Sequence, residues 1–141
     1  MTTDAKLIMD TALHDAMPAT AVEEALSKID FGSGRLYVVA TGKAGWEMGN
    51  AASKELGDRI YKGIVITKYD HGKGELKNFE ICEAGHPVPD ENSFKSTEKA
   101  LELVKGLNAD DSVLFLLSGG GSALFEKPII DCNEMADITK Q

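Results

Sequence analysis

Three short stretches carry residues whose types and spacing suit chemistry on an anion. The first is Ser118-Gly119-Gly120-Gly121-Ser122, which follows the apolar run Val113-Leu114-Phe115-Leu116-Leu117. Consecutive glycines leave no Cβ between the amide N–H groups and a ligand. With a hydroxyl at each end and a helix N-terminus beyond, such a loop can wrap a phosphate or carboxylate. The plainer reading is a tight strand-to-helix turn, but a turn needs one or two glycines, and each further one carries an entropic cost. The second stretch is Thr41-Gly42-Lys43-Ala44-Gly45. A lone ammonium at a glycine-rich strand end can neutralise charge in phosphoryl transfer; the alternative is a solvated surface lysine. The third is His86, which precedes Pro87 and can act as an acid–base group or simply anchor its loop by hydrogen bonds.

None of these is a standard nucleotide fingerprint. The dinucleotide pattern G-x-G-x-x-G fails at Leu124, and Gly42-Lys43 is followed by Ala44 where an ATPase phosphate loop needs Ser or Thr. The hydrolase pattern G-x-S-x-G fails at Leu124 as well. Asp90 reads as a helix cap rather than a metal ligand, His71 as part of a solvated loop, Trp46 as packing or a pocket wall, and His14 as an exposed helix residue. No metal-ligating residue is assigned.

The elements that must position these residues follow from periodicity. Residues 4–28 are helical in character, with a break at Pro18; Thr20 is a candidate N-cap for the second helix, whose buried face would carry Val22, Ala25, Leu26 and Ile29. Arg35-Leu36-Tyr37-Val38-Val39-Ala40 predicts a strand, followed by a helix with Met48, Ala51, Ala52 and Leu56 inward and a stop at Gly57. Gly63-Ile64-Val65-Ile66-Thr67 predicts a short buried strand and Phe79-Glu80-Ile81-Cys82-Glu83-Ala84, alternating at period two, an edge strand. Asp90 would cap a long helix burying Phe94, Thr97, Leu101 and Val104. Val113 to Leu117 predicts a strand buried on both faces, and a last helix begins near Asn133.

Helices alternating with short apolar strands imply an α/β fold, a parallel sheet joined by crossover helices and flanked by helices on both faces. Ligands in such sheets lie outside the carboxyl ends of the strands. Both glycine loops and the His86-Pro87 corner follow strands directly, so they should share that edge.

The chain has 141 residues, with 15 Lys and Arg against 23 Asp and Glu, a net charge of −8. That balance argues against a general nucleic-acid or anionic-membrane binder, though a local cluster of N–H groups and one lysine still suits a small anion. No apolar run reaches membrane-spanning length and no signal-peptide pattern opens the chain. Cys82 and Cys132 lack metal-ligand spacing and read as free thiols in a reducing cytoplasm.

Thr41-Gly42-Lys43-Ala44, Glu83-Ala84-Gly85-His86-Pro87-Val88-Pro89-Asp90-Glu91 and Leu117-Ser118-Gly119-Gly120-Gly121-Ser122-Ala123-Leu124, in that order, resemble the N-terminal part of the glycerate 2-kinase family. These MOFRL or type-2 glycerate kinases often carry the older label hydroxypyruvate reductase, which the lack of a dinucleotide fingerprint disfavours here. The resemblance implies a Rossmann-like domain, incomplete within residues 1–141, and a second domain that is absent. It implies ATP-dependent phosphorylation of D-glycerate, with 2-phosphoglycerate the favoured product and ATP and Mg2+ as cofactors. The thiols already place the chain in the cytoplasm, and an incomplete sheet would expose an edge through which copies can associate into a homo-oligomer. Lys43 would be catalytic; Gly42, His86, Ser118, Gly119, Gly120, Gly121 and Ser122 would bind phosphate or the substrate carboxylate. Because the family's active site lies between two domains, the 141 residues alone are expected to be inactive. The alternative is a non-catalytic α/β module that binds an anionic metabolite or nucleotide.

Overall fold

The structure of the chain, a computed structural model, describes residues 3–119 and 122–139. Among them the elements run α1 (Thr3–Asp15), α2 (Pro18–Leu26), β1 (Leu36–Thr41), α3 (Gly45–Leu56), β2 (Ile60–Lys68), β3 (Phe79–Ala84), α4 (Glu91–Leu103), β4 (Ser112–Leu117) and α5 (Cys132–Thr139). The strands pair in parallel in the order β3-β2-β1-β4. An α/β fold with a parallel sheet flanked by helices is therefore observed.

Strand β1 is buried along its whole length because both of its faces are covered. Leu36, Val38 and Ala40 pack with Val22 and Leu26 of α2 and Ala51 and Ala52 of α3. On the other face Val39 packs with Ile64, Ile66, Cys82 and Ala84 and with Ala100 of α4. At ~1.5–3 kcal/mol for each fully buried aliphatic side chain, these two clusters hold β1 and its carboxyl end in place. Helix α4 starts where the sequence places it: Asp90 accepts a hydrogen bond from the Ser93 amide at 3.0 Å, and the Ser93 hydroxyl accepts one from the Asp90 amide at 3.1 Å. Gly57, at φ +48°, ends α3.

At the amino ends of the strands, Arg35 and Asp111 tie β1 to β4. The Arg35 amide donates to Asp111 Oδ1 at 2.9 Å and its guanidinium to Oδ2 at 2.8 Å, with Tyr37 and Tyr61 beside the guanidinium. The hydrogen bond from Arg35, reinforced by the Asn108 amide, lowers the Asp111 carboxyl from its ordinary 3.8 to about 2.

Several local expectations are corrected. Helix α2 begins at Pro18, with Met17 rather than Thr20 at the N-cap, because proline suits the first turn, where no amide partner is needed. Ile29 lies beyond the helix and is exposed. The buried face of α4 is Ser93, Ser96, Thr97 and Ala100, while Leu101 is exposed; small side chains let this helix lie close on the sheet. The connection from β2 to β3 has no helix. Residues 69–78 cross over as a loop, with Leu76 packed against the α3-side core and Asp70 and Asn78 at positive φ.

The largest correction concerns β4, which is not buried on both faces. Val113, Phe115 and Leu117 are 42–49% exposed. They align with Tyr37, Val39 and Thr41, on the α4 side of the sheet. Helix α4, however, packs chiefly on β3 and β2. Phe125, edge-on to Phe115 at 5.4 Å, gives that face partial cover.

Candidate functional site

Strand β1 is the point at which the chain reverses direction across the sheet. It proceeds outward to β2 and β3 and then returns to β4 on the other side of β1. The element after β1, α3, packs on one face of the sheet and the turn after β4, with Leu124, on the other, which leaves a crevice at the carboxyl ends of the two strands. A cavity of about 300 Å³ lies at this point, lined by Gly42, Lys43, Ala44, His86, Ser118, Gly119 and Leu124. The three stretches that carry chemistry in the sequence thus meet in one cleft. Gly120 and Gly121 lie outside the described residues, as does the side chain of Ser122. The helix expected after the glycine run is only a 3-10 turn, Ser122–Leu124, whose Leu124 is 1% exposed and belongs to the core beneath the cleft.

The two loops are fastened to each other. The Ser118 amide donates to the Thr41 carbonyl at 2.9 Å, and the Ala44 amide donates to Ser118 Oγ at 2.9 Å. Gly42, at φ +108°, allows this approach: a Cβ there would lie 2.3 Å from the Ser118 carbonyl oxygen. Ser118 Oγ is thus occupied as an acceptor, while its proton has no acceptor among the described residues.

Further side chains fix the peptide units on either side of Lys43. Thr67 Oγ1, at the end of β2, donates to the Gly42 carbonyl at 3.0 Å and reaches the Lys43 carbonyl at 3.3 Å. His71 Nδ1 is 3.0 Å from the Lys43 carbonyl. A carbonyl only accepts, so Nδ1 carries the proton in this contact. Lys43 itself is exposed and has no carboxylate partner among the described residues. It also borders a second cavity of about 390 Å³, lined by Ala44, Glu47, Asp70, His71 and Lys73, in which Lys73 pairs with Glu47.

His86, joined to Pro87 by a cis peptide bond, forms the opposite side of the cleft. Burial lowers its pKa below the ordinary 6.5, and the positive charges of Lys43 and Lys68 add to this. At neutral pH the ring is therefore uncharged and able to accept a proton. The corner after it is braced by Tyr69, whose hydroxyl donates to Asp90 Oδ2 at 2.7 Å and accepts from Asn92 at 2.8 Å. Burial alone would raise the Asp90 carboxyl, but hydrogen bonds from Tyr69, Ser93 and Gly85 bring it below the usual carboxylate value.

Thr67, Lys68, Tyr69 and His71 are the members of this edge that sequence reasoning missed. His71 read as a solvated loop residue, and no spacing rule singles out a threonine or lysine at a strand end. The available signal was topological: every residue that ends a parallel strand beside β1 faces the same rim. Among the described residues the donor set does not fit a protein-held Mg2+. The cavity lining carries no carboxylate, and no group of three or more His, Cys, Asp or Glu is arranged to hold a metal ion among the described residues.

Comparison with known proteins gives the cleft a family. A family model described as a domain of unknown function, DUF4147, matches residues 4–141. The chain belongs to that family. The D-glycerate 2-kinase of Thermotoga maritima is 52% identical over 134 residues, which is 94% of this chain and 32% of the relative. The glycerate 2-kinase of Pyrococcus horikoshii is 46% identical over 95 residues, 67% of this chain and 21% of the relative. A crystal structure of a glycerate kinase from Thermotoga maritima superposes with a TM-score of 0.89 at 48% identity, covering 96% of this chain and 33% of that one. The motif-based resemblance to glycerate 2-kinases is borne out by these relatives. The chain spans about a third of the length of the Thermotoga relative it matches. No helix among the described residues is long and apolar enough to cross a membrane.

Proposed function

We propose that this chain supplies one wall of a site for ATP-dependent phosphorylation of D-glycerate, giving 2-phosphoglycerate. The observation that carries this reading is the convergence of Lys43, His86 and the Ser118-Gly119 turn on a single cleft at the β1–β4 reversal point. Support comes from relatives named as glycerate 2-kinases. Lys43 would neutralise an anionic oxygen of the transferring phosphoryl group or of the glycerate carboxylate. The Ser118 hydroxyl and the Gly119 amide would donate hydrogen bonds to the same anion. His86, uncharged at neutral pH, would accept the proton of the attacking hydroxyl. Rate enhancement in such a site comes from positioning and charge stabilisation more than from covalent chemistry.

The domain reading belongs here as well. The 141 residues act as part of a cleft whose other wall is a second domain, and they do not turn over glycerate alone. The setting is cytoplasmic. A chimera tests the reading: this chain replaces the matched third of the Thermotoga maritima D-glycerate 2-kinase, and ATP-dependent glycerate phosphorylation is assayed. Activity that Lys43→Met removes supports the function. An active chimera indifferent to Lys43→Met overturns the role of Lys43, and glycerate turnover by the 141 residues alone at the relative's rate overturns the one-wall reading.

A further inference from the structure

Lys43 carries one positive charge, whereas a phosphorylated ligand brings at least two negative ones. We infer that Lys68 is a second cation of the cleft and engages the phosphoryl group of a phosphorylated ligand; this rests on the site reading above and deepens it. Lys43, Lys68 and His86 sit at the carboxyl ends of three adjacent strands. Lys43 is two residues past the end of β1, Lys68 is the last residue of β2, and His86 is two residues past the end of β3. Lys68 pairs in register with Ala84, so it stands beside the strand end from which His86 departs. Neighbouring strands lie ~4.8 Å apart, a gap that a four-carbon lysine stem spans easily.

The face is right as well. Strand alternation places Lys68 with Ile64 and Ile66, which pack against Leu124; Leu124 also lines the cleft. The base of Lys68 is held, because its carbonyl accepts the His71 amide at 3.0 Å and the preceding Thr67 binds the Lys43 loop. Lys68 is partly buried and has no carboxylate partner among the described residues. The nearby carboxylates are engaged elsewhere: Glu47 with Lys73, Glu83 with the Gly72 amide, and Asp90 with Tyr69 and Ser93. Asp70 lines the adjoining cavity. Lys68 and Lys43 both act on the His86 ring electrostatically, with a smaller contribution from His71. In a chain of net charge −8, two lysines at one strand edge without a carboxylate partner among the described residues are a local reversal of sign of the kind that concentrates anions.

The test is calorimetric titration of the 141-residue chain with D-glycerate and with 2-phosphoglycerate, together with NMR titration of His86. The variants are Lys68→Met, Lys68→Arg, Lys43→Met and, as a charge control on the outer surface of α3, Lys54→Met. Lys68→Met is expected to weaken 2-phosphoglycerate by ~10-fold, the scale of one charge-assisted contact, and D-glycerate by less than about 3-fold. Lys68→Arg should restore most of the binding, and Lys54→Met should change neither ligand. The His86 midpoint should rise in Lys68→Met and stay near wild type in Lys68→Arg. Equal weakening of both ligands, or wild-type binding by Lys68→Met while Lys43→Met fails, overturns the role of Lys68 and leaves the cleft intact. A wild-type chain that binds neither anion overturns the glycerate site and, with it, the inference about Lys68.

Discussion

Ser118 Oγ accepts the Ala44 amide at 2.9 Å, making the two loops of the cleft one hydrogen-bonded unit. The same residue's amide is bound to the Thr41 carbonyl, so Ser118 is anchored at both ends before any ligand arrives. This is preorganisation: the Ser118 hydroxyl and the backbone that carries Lys43 are placed by the fold, so little of the loop remains to be ordered at the moment of binding.

Removing the hydroxyl should therefore loosen both loops together. Ser118→Ala is expected to lower stability by about 1–2 kcal/mol, the cost of leaving the Ala44 amide without its partner. Anion binding should weaken as well. Urea denaturation read alongside calorimetry checks both; a variant as stable as wild type would show that the contact adds little.

Gly42 tests the same junction by crowding it. An alanine there would hold φ near +108° and set its Cβ 2.3 Å from a backbone oxygen. Gly42→Ala should cost about 2–4 kcal/mol, measured by thermal or chemical unfolding. The obstructing atom is backbone, so no side-chain rotation relieves it.

Acid should act at the opposite edge of the sheet. The folded-state pKa of Asp111 is lowered to about 2 from 3.8. Its contribution to stability is thus present above the unfolded value and lost as pH falls from about 4 through 2. Asp111→Asn should be less stable than wild type at pH 7, and the difference should shrink towards pH 2. Melting curves across that range check the sign; a gap that widens in acid would contradict it.

The exposed β4 strip has a consequence in solution. Val113, Phe115 and Leu117 lie beside a strand edge left unpaired among the described residues, an arrangement that favours pairing between copies. Sedimentation of the chain should show concentration-dependent association, reduced by Phe115→Lys. Monomeric behaviour at all concentrations would count against it.

Most of the fold was legible because its signals are local. Apolar runs marked the strands, Asp90 formed the helix cap expected of it, and the rule for parallel sheets put Lys43, His86 and Ser118 on one edge. What was hidden depended on neighbours far away in sequence. The run Val113 to Leu117 reads as doubly buried, yet burial is decided by where α4 lies, and α4 lies chiefly over β3 and β2. Thr67 and His71 carry no motif; they matter because the Gly42 and Lys43 carbonyls point at them. Ser118 read as a ligand donor, and its second task as a clasp for Ala44 was invisible without the register of β1 with β4.

The most direct measurement is amide chemical-shift mapping of the 141-residue chain titrated with 2-phosphoglycerate. Saturable shifts are expected at Gly42, Lys43, Ala44, His86 and Gly119, and they should vanish in Lys43→Met. Shifts confined to other surfaces, or a pattern unchanged in Lys43→Met, would contradict an anion site at this edge.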